Sequence, residues 1–242
     1  EWSAHKRVGT NLISPKDYHG NPSILIDREG FLHVFYGGHN KKMRYSRSSK
    51  PLSNDDWQDY TSRLPYTDST YPQLFTMSDG TIYSFYRRKT HRGNWSYITS
   101  KDNGMTWSKE VHVLDGRSPP GNGWYAAFTK GPNGDHIHLM FLWHASKDNL
   151  PHSRRNLYYM QMDHSTGKWT SMENEKLNTP ISFEEANGKV MIFDSKNKYS
   201  SIPQHWLTVD GRSVGLNRIS DKDGVDRRHL HVWTGESWRT QK

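Results

Sequence analysis

Short apolar runs alternate with polar turns along the whole chain. The pattern is set by its first example, in which the polar cluster Asp17-Tyr18-His19-Gly20-Asn21-Pro22 leads into Ser23-Ile24-Leu25-Ile26-Asp27. That run closes at Asp27-Arg28-Glu29-Gly30. A second follows, Phe31-Leu32-His33-Val34-Phe35-Tyr36, and ends on Gly37-Gly38-His39. Two β-rich runs separated by a glycine-bearing turn predict an antiparallel hairpin. In a hairpin the start of the first strand lies beside the end of the second, so His19 and His39 are expected to meet.

The punctuation recurs. Asp79-Gly80, Asn133-Gly134, Asn187-Gly188 and Asp210-Gly211 each divide two apolar runs. The glycines of the first four turns are 50, 54 and 54 residues apart, and the last step, to Gly211, is only 23. A tryptophan (Trp57, Trp107, Trp169, Trp238) closes each unit. Strands are predicted at 23–27, 31–36, 42–48 and 57–60, then at 72–76, 81–86, 94–99 and 107–113, then at 124–129, 136–143, 156–162 and 169–172. The stretch 178–199 holds about two more before the pattern resumes over 201–238. No long helical periodicity interrupts it. Four short antiparallel strands in about 50 residues mark a β-propeller blade. The expected fold is therefore all-β, a single propeller domain over residues 1–242 with four to five blades visible. Trp2 reads as the end of a blade, so the chain is either a small ring closed by its N-terminal strand or part of a larger one. Residues 117–123 are a loop between blades.

One turn is more specific. Ser100-Lys101-Asp102-Asn103-Gly104-Met105-Thr106-Trp107 matches the Asp-box pattern S-x-D-x-G-x-T-W, with a degenerate copy in Asp163-His164-Ser165-Thr166-Gly167-Lys168-Trp169. Its logic is structural: an aspartate that caps its own turn, a glycine for an unusual φ, and a tryptophan that packs between strands.

Composition narrows the partners. Only 32% of residues are hydrophobic, with a mean hydropathy of -0.98, against 10 Trp and 13 Tyr. Thin layers capped by aromatics suit such a chain better than one thick core. No run approaches the ~18 apolar residues of a membrane helix, so no membrane partner is expected. The chain has no cysteine, which excludes disulfides and thiolate sites. No signal peptide opens it. A formal charge of +8 favours a polyanionic partner. The basic residues match no DNA or RNA module, which argues against nucleic acid. Nothing in the sequence sets the oligomeric state.

Phosphate-binding, dinucleotide, metalloprotease and nucleophile-elbow motifs are all absent. A structural metal is possible through spaced histidines: His136 and His138 alternate on one strand, with His144 and His152 downstream as the least poor ligands. The more informative positions are those flanking the first two strands of each blade, where loops at one rim form a ligand surface. His19, Asn21 and His39 occupy them in the first unit, Tyr71 and Arg87 in the second, and Tyr125 and His144 in the third. A guanidinium, two imidazoles and a phenol suit proton abstraction from C5 of a uronic acid. The cation neutralises the carboxylate, a base takes the proton, and an acid protonates the leaving oxygen. On position alone, Tyr71 is equally well a packing aromatic and Arg87 a surface cation.

His19-x-Asn21-Pro22-Ser23, then His39-Asn40-x-x-Met43-Arg44-Tyr45-x-Arg47-Ser48, Tyr71-Pro72-Gln73 and Tyr86-Arg87 resemble the BNR-repeat family of seven-bladed propellers, which includes ulvan lyases and related uronate-polysaccharide lyases. The resemblance is good over residues 15–170 and weaker beyond. It implies β-elimination on an anionic polysaccharide such as ulvan, in a secreted or periplasmic setting. It makes His19 and Tyr71 the base and acid, Arg87 the carboxylate neutraliser, and His39 a positioning partner. Asn21, Arg44, Arg88, Tyr125 and His144 become substrate contacts, Arg88 also standing in if the register at Arg87 is off by one. No cofactor is required for that chemistry. The family's His/Cys metal cluster cannot be complete without cysteine. Two rival readings stay open: a non-catalytic carbohydrate-binding propeller, and a sialidase-like hydrolase. The latter needs three arginines around a carboxylate, and its nearest acidic pair here is Glu184-Glu185.

Overall fold

The computed structural model describes residues 4–66, 68–90, 92–117, 123–145, 154–220 and 224–242. Trp2, His152 and the middle of the 117–123 loop lie outside the described residues. The strands are β1 (Ser23–Ile26), β2 (Leu32–Tyr36), β3 (Lys41–Lys42), β4 (Arg44–Ser48), β5 (Trp57–Asp59), β6 (Asp68–Thr76), β7 (Ile82–Arg88), β8 (Trp95–Ser100), β9 (Val111–Leu114), β10 (Gly123–Lys130), β11 (His136–His144), β12 (Arg154–Asp163) and β13 (Trp169–Thr170). After helix α1 (Phe183–Lys189) come β14 (Met191–Phe193), β15 (Tyr199–Ser200), β16 (Gln204–Leu207), β17 (Ser213–Ser220), β18 (Asp226–Trp233) and β19 (Trp238–Gln241). They form four antiparallel sheets, the blades of a β-propeller: β1-β2-β4-β5, β3-β6-β7-β8-β9, β10-β11-β12-β13 with β14 also on β12, and β15-β17-β18-β19 with β16 also on β17. Two compact units are present, Glu1–Thr90 with Ser96–Val111, and His91–Trp95 with His112–Lys242.

The repeat is written in the backbone. Asp27 donates its N–H to Phe31 O (3.0 Å) while Gly30 donates to Asp27 O (3.1 Å). Met77/Thr81 with Gly80, Gly131/His136 with Gly134, and Thr208/Arg212 with Gly211 make the same two bonds at 2.8–3.0 Å. The four glycines have φ of +88°, +90°, +67° and +80°, which favours glycine at each. Asn187-Gly188 is not one of these turns. It lies inside α1, and the fourth hairpin is at Gly211, 77 residues beyond Gly134. The excess length is an insertion into the third sheet. β13 and β14 both pair with β12, at Gln161–Met162 and at Leu157–Tyr158, and α1 sits between them in the chain. Ser182 caps α1, its Oγ accepting from Glu185 N at 3.2 Å, and Glu184 and Glu185 fill the first turn. An Asn-Gly pair that looks like a hairpin turn is overridden by this Ser-x-x-Glu start.

Each unit builds its own core. In the first, Phe35, Met43, Tyr45, Leu64, Tyr66, Leu74, Tyr86 and Ile98 pack together, with Trp107 against them. Trp107 meets Phe35 and Tyr45 edge-on, at 5.6 and 5.9 Å between ring centroids. A buried polar chain crosses this core. Asp27 accepts from Glu29 N and Phe31 N at 3.0 and 2.9 Å and from His33 Nε2 at 2.9 Å. His33 Nδ1 lies 2.8 Å from the Tyr45 hydroxyl, which also faces Gly104 O. Asp27 therefore closes the first hairpin and anchors a core histidine. The Asp102 turn docks on the same chain. Asp102 Oδ1 accepts from Thr106 N at 2.8 Å, and Gly104 has φ +78°. In the second unit, Met140, Leu157 and Tyr159 form a core cluster against which Trp238 packs. There His138 Nδ1 lies 2.5 Å from the Tyr159 hydroxyl, and His231 lies 2.9 Å from both Asn217 Oδ1 and Thr240 Oγ1.

Two expectations follow. A Cβ on Gly104 would lie 2.0 Å from the Tyr45 hydroxyl, whereas one on Gly167, in the corresponding turn at φ +66°, meets nothing within 4 Å. Gly104→Ala should therefore destabilise the protein by about 2–3 kcal/mol and Gly167→Ala by about 1 kcal/mol. Denaturant unfolding that ranks the two equally would contradict the docking of this turn. Burial holds His231 down to about 4, and the nearby His229 adds to the effect. The unfolded chain takes this proton at the ordinary value of 6.5, so stability is full above that pH and is lost as pH falls towards 4. The loss amounts to about 3 kcal/mol at one such site. The melting temperature should fall on acidification from pH 7, and His231→Gln should flatten that slope. An unchanged slope would contradict the assignment.

Candidate functional site

Of the positions singled out by sequence, four converge within the first unit. Asp17 caps a single 3-10 turn, Tyr18–Gly20, its Oδ1 accepting from His19 N at 3.1 Å. Asn21, the exposed residue that ends the turn, precedes Pro22, which restricts it to extended backbone. His19 is thus displayed at the entrance to β1. His39 arrives from the far end of β2 through Gly37 and Gly38. Gly37 N donates to Gly20 O at 3.4 Å. Gly38 passes so close to the next sheet that a Cβ there would lie 2.7 Å from Ser69 O. Asn40, at φ +53°, then donates its N–H to Thr70 Oγ1 at 3.1 Å. Beyond it, β3 pairs Lys41 with Ser69 and Lys42 with Asp68 of β6. The segment that leaves the first sheet is thereby stitched to the second, and His39 lies on that seam.

Tyr71 comes from inside β6, not from before it. β6 begins at Asp68, four residues earlier than the predicted start at 72. Between Thr70↔Arg87 and Gln73↔Phe85 the β6–β7 ladder shifts register, so Tyr71 and Pro72 together oppose Tyr86. This bulge re-aims the side chain. Tyr71 has φ +59°, a conformation that costs an aromatic residue on the order of 1–2 kcal/mol. Pro72 has no N–H to lose from the ladder. Arg87 likewise lies within β7 and is only 2% exposed.

The rings of His19 and His39 stack with centroids 4.0 Å apart and planes 17° from parallel. Tyr71 stands 5.9 Å from His19, tilted by 49°. The Arg87 guanidinium lies 4.9 Å from the centre of the Tyr71 ring. Both imidazoles meet Asp17, a residue whose sequence context marks it only as a turn cap. Its Oδ1 lies 2.6 Å from His19 Nδ1, and its Oδ2 is hydrogen-bonded to His39 Nδ1. Those bonds, from His39 first and then His19, hold the Asp17 carboxyl well below the usual carboxylate range. The available signal was Asp-x-His at the head of a turn. Ligand atoms of Asp17, His19 and His39 lie within 4.8 Å of one another, the spacing of a possible metal site. Each Nδ1 already faces the Asp17 carboxylate, as a hydrogen-bonding nitrogen would. The arrangement suits the holding of protons better than the holding of an ion.

The other candidates are placed differently. Arg44 donates to Asp59 Oδ2 at 2.8 Å. Arg88 donates to Glu110 Oε2 at 2.9 Å, an oxygen that also receives the Tyr86 hydroxyl at 2.7 Å. Arg87, not Arg88, is therefore the guanidinium at the Tyr71 ring. In the second unit Tyr125 and His144 meet edge-on at 5.6 Å, and Arg154, unforeseen from sequence, lies 4.3 Å over the Tyr125 ring. His136 Nδ1 is 3.1 Å from Asp135. With His138 on Tyr159, the two histidines of that strand serve separate partners.

The model of the BNR repeat-containing family matches residues 2–242. "Ulvan Lyase-PL25" of Pseudoalteromonas sp. (strain PLSV) is 29% identical over 276 aligned positions, covering 98% of this chain and 56% of the relative. An "Ulvan lyase" of Alteromonas sp. (strain LOR) is 30% identical over 277 positions, with the same coverage. The chain thus spans about half the length of the curated relatives it matches. A solved polysaccharide lyase, PL25-Ulvanlyase, bound to -[GlcA(1-4)Rha3S]-, aligns with a TM-score of 0.88 at 27% identity, over 99% of this chain and 62% of that one. With a family model matching almost end to end and the blade architecture in place, the chain belongs to the BNR repeat-containing family.

Proposed function

We propose that this protein is a polysaccharide lyase that cleaves a uronic-acid-containing polysaccharide of the ulvan kind by β-elimination. The observation that carries the reading is the convergence of His19, His39, Tyr71 and Arg87 at one seam of the first unit. Arg87 and His39 draw charge from the uronate carboxylate, which makes the C5 proton acidic. His19 and Tyr71 are the proton-transfer pair. One takes the C5 proton, the electrons form the C4–C5 double bond, the C4–O bond breaks, and the other returns a proton to the leaving oxygen. The strained bulge at Tyr71 supports this role, since such a conformation persists only where the surroundings enforce it. Asn21 stands beside the turn that displays His19. Arg44 and Arg88 are each already engaged by a carboxylate, so neither offers the substrate a bidentate fork.

The formal charge of +8 and the uronate-bearing ligand in a solved relative favour an acidic polysaccharide. Among the described residues, one guanidinium, that of Arg87, lies at the Tyr71 ring, where a sialidase needs three around a carboxylate.

Incubation with ulvan should raise ultraviolet absorbance as the unsaturated uronate forms. His19→Ala and Tyr71→Phe should each lower the rate by about 10²- to 10⁴-fold with little change in the circular dichroism spectrum. Binding of ulvan without any product would favour the carbohydrate-binding reading. Near-full activity of both variants would overturn the residue roles.

A further inference from the structure

We propose that Asp17 is a positioning residue that locks His19 and His39 together in the tautomer carrying hydrogen at Nδ1, which leaves Nε2 of each ring for the substrate. The proposal rests on the proton-transfer reading above and adds to it a residue that never touches the sugar.

An ionised carboxylate only accepts hydrogen bonds. Both of its imidazole contacts are at Nδ1, so both Nδ1 atoms must donate. Oδ1 also takes the His19 backbone N–H, which ties the carboxylate to the turn it caps. The hydrogen on each ring is thus set by one group, as the partner of one ring nitrogen sets the state of the other. The groups facing this cluster are Tyr71 on β6 and, over the Tyr71 ring, Arg87 on β7. Lys41 and Lys42 follow on β3, and Arg44 on β4 is engaged by Asp59.

Asp17→Asn separates positioning from folding. Asparagine keeps an oxygen for the His19 N–H and so still caps the turn. Its amide nitrogen can only donate, so at least one imidazole must move its hydrogen from Nδ1 to Nε2. Imidazole 15N shifts near neutral pH should show Nδ1–H on both rings of the unaltered protein and Nε2–H on one of them in the variant. The kcat on ulvan should fall by about a hundredfold or more, with KM changed by less than about threefold. Asp17→Glu should recover part of the rate. Unchanged tautomers in Asp17→Asn, or a switched tautomer with kcat within about threefold of the unaltered protein, would overturn the proposal. If the unaltered protein produces no unsaturated uronate at all, the lyase reading fails, and the 15N shifts still decide whether Asp17 sets the tautomers.

Discussion

The site depends on a piece of chain that belongs to two sheets. After β2 leaves the first blade, residues 37–42 do not turn back at once. They are bonded to β6 through Asn40 to Thr70 and through β3 to Ser69 and Asp68. The close approach at Gly38 permits this, because a side chain there would strike the Ser69 carbonyl. The stitch fixes where His39 stands relative to Tyr71 and Arg87, which the second blade supplies. Asp17 then fixes His19 to His39 from the other side. The four groups are held by backbone pairing, a bulge and a capped turn, so the geometry does not rest on long, flexible side chains.

The same economy appears deeper in the first unit. Asp27 closes a hairpin with its backbone-facing oxygen and holds His33 with the other. His33 touches Tyr45, and Tyr45 meets the glycine of the Asp102 turn. Short-range turn chemistry and long-range packing therefore share atoms, which suits a chain with few aliphatic residues and many aromatics. The histidines divide into two kinds. His33, His138 and His231 are buried partners of tyrosine, threonine and carboxamide or carboxylate groups, and burial lowers the pKa of each. His19 is half-exposed and His39 less so, and the two stack on each other with both Nδ1 atoms on one carboxylate.

Much of this was legible in the chain. The hairpins at Gly30, Gly80 and Gly134, and the meeting of His19 with His39, follow from turn residues and strand periodicity, which are local signals. Arg87 was expected just after the second strand of its blade and lies inside β7 instead. Three things were not legible, each for a stated reason. Asn187-Gly188 looked like the next turn, but a serine cap with two acidic residues makes that stretch helical. The start of β6 was placed too late because Tyr71-Pro72 resembles a boundary, and only pairing across the ladder reveals a bulge. Asp17 was overlooked because a carboxylate before a turn is an ordinary cap, and its second oxygen reaches a residue 22 positions away.

In the proposed elimination the glycosidic bond breaks by loss of a proton and not by addition of water. Mass spectrometry of ulvan fragments formed in 18O-water tests it directly. Elimination predicts a new non-reducing end lighter by one water than the hydrolysis product, with no 18O introduced by cleavage itself at either new end. A saturated new non-reducing end, with the water oxygen taken up at the new reducing end, would contradict the account.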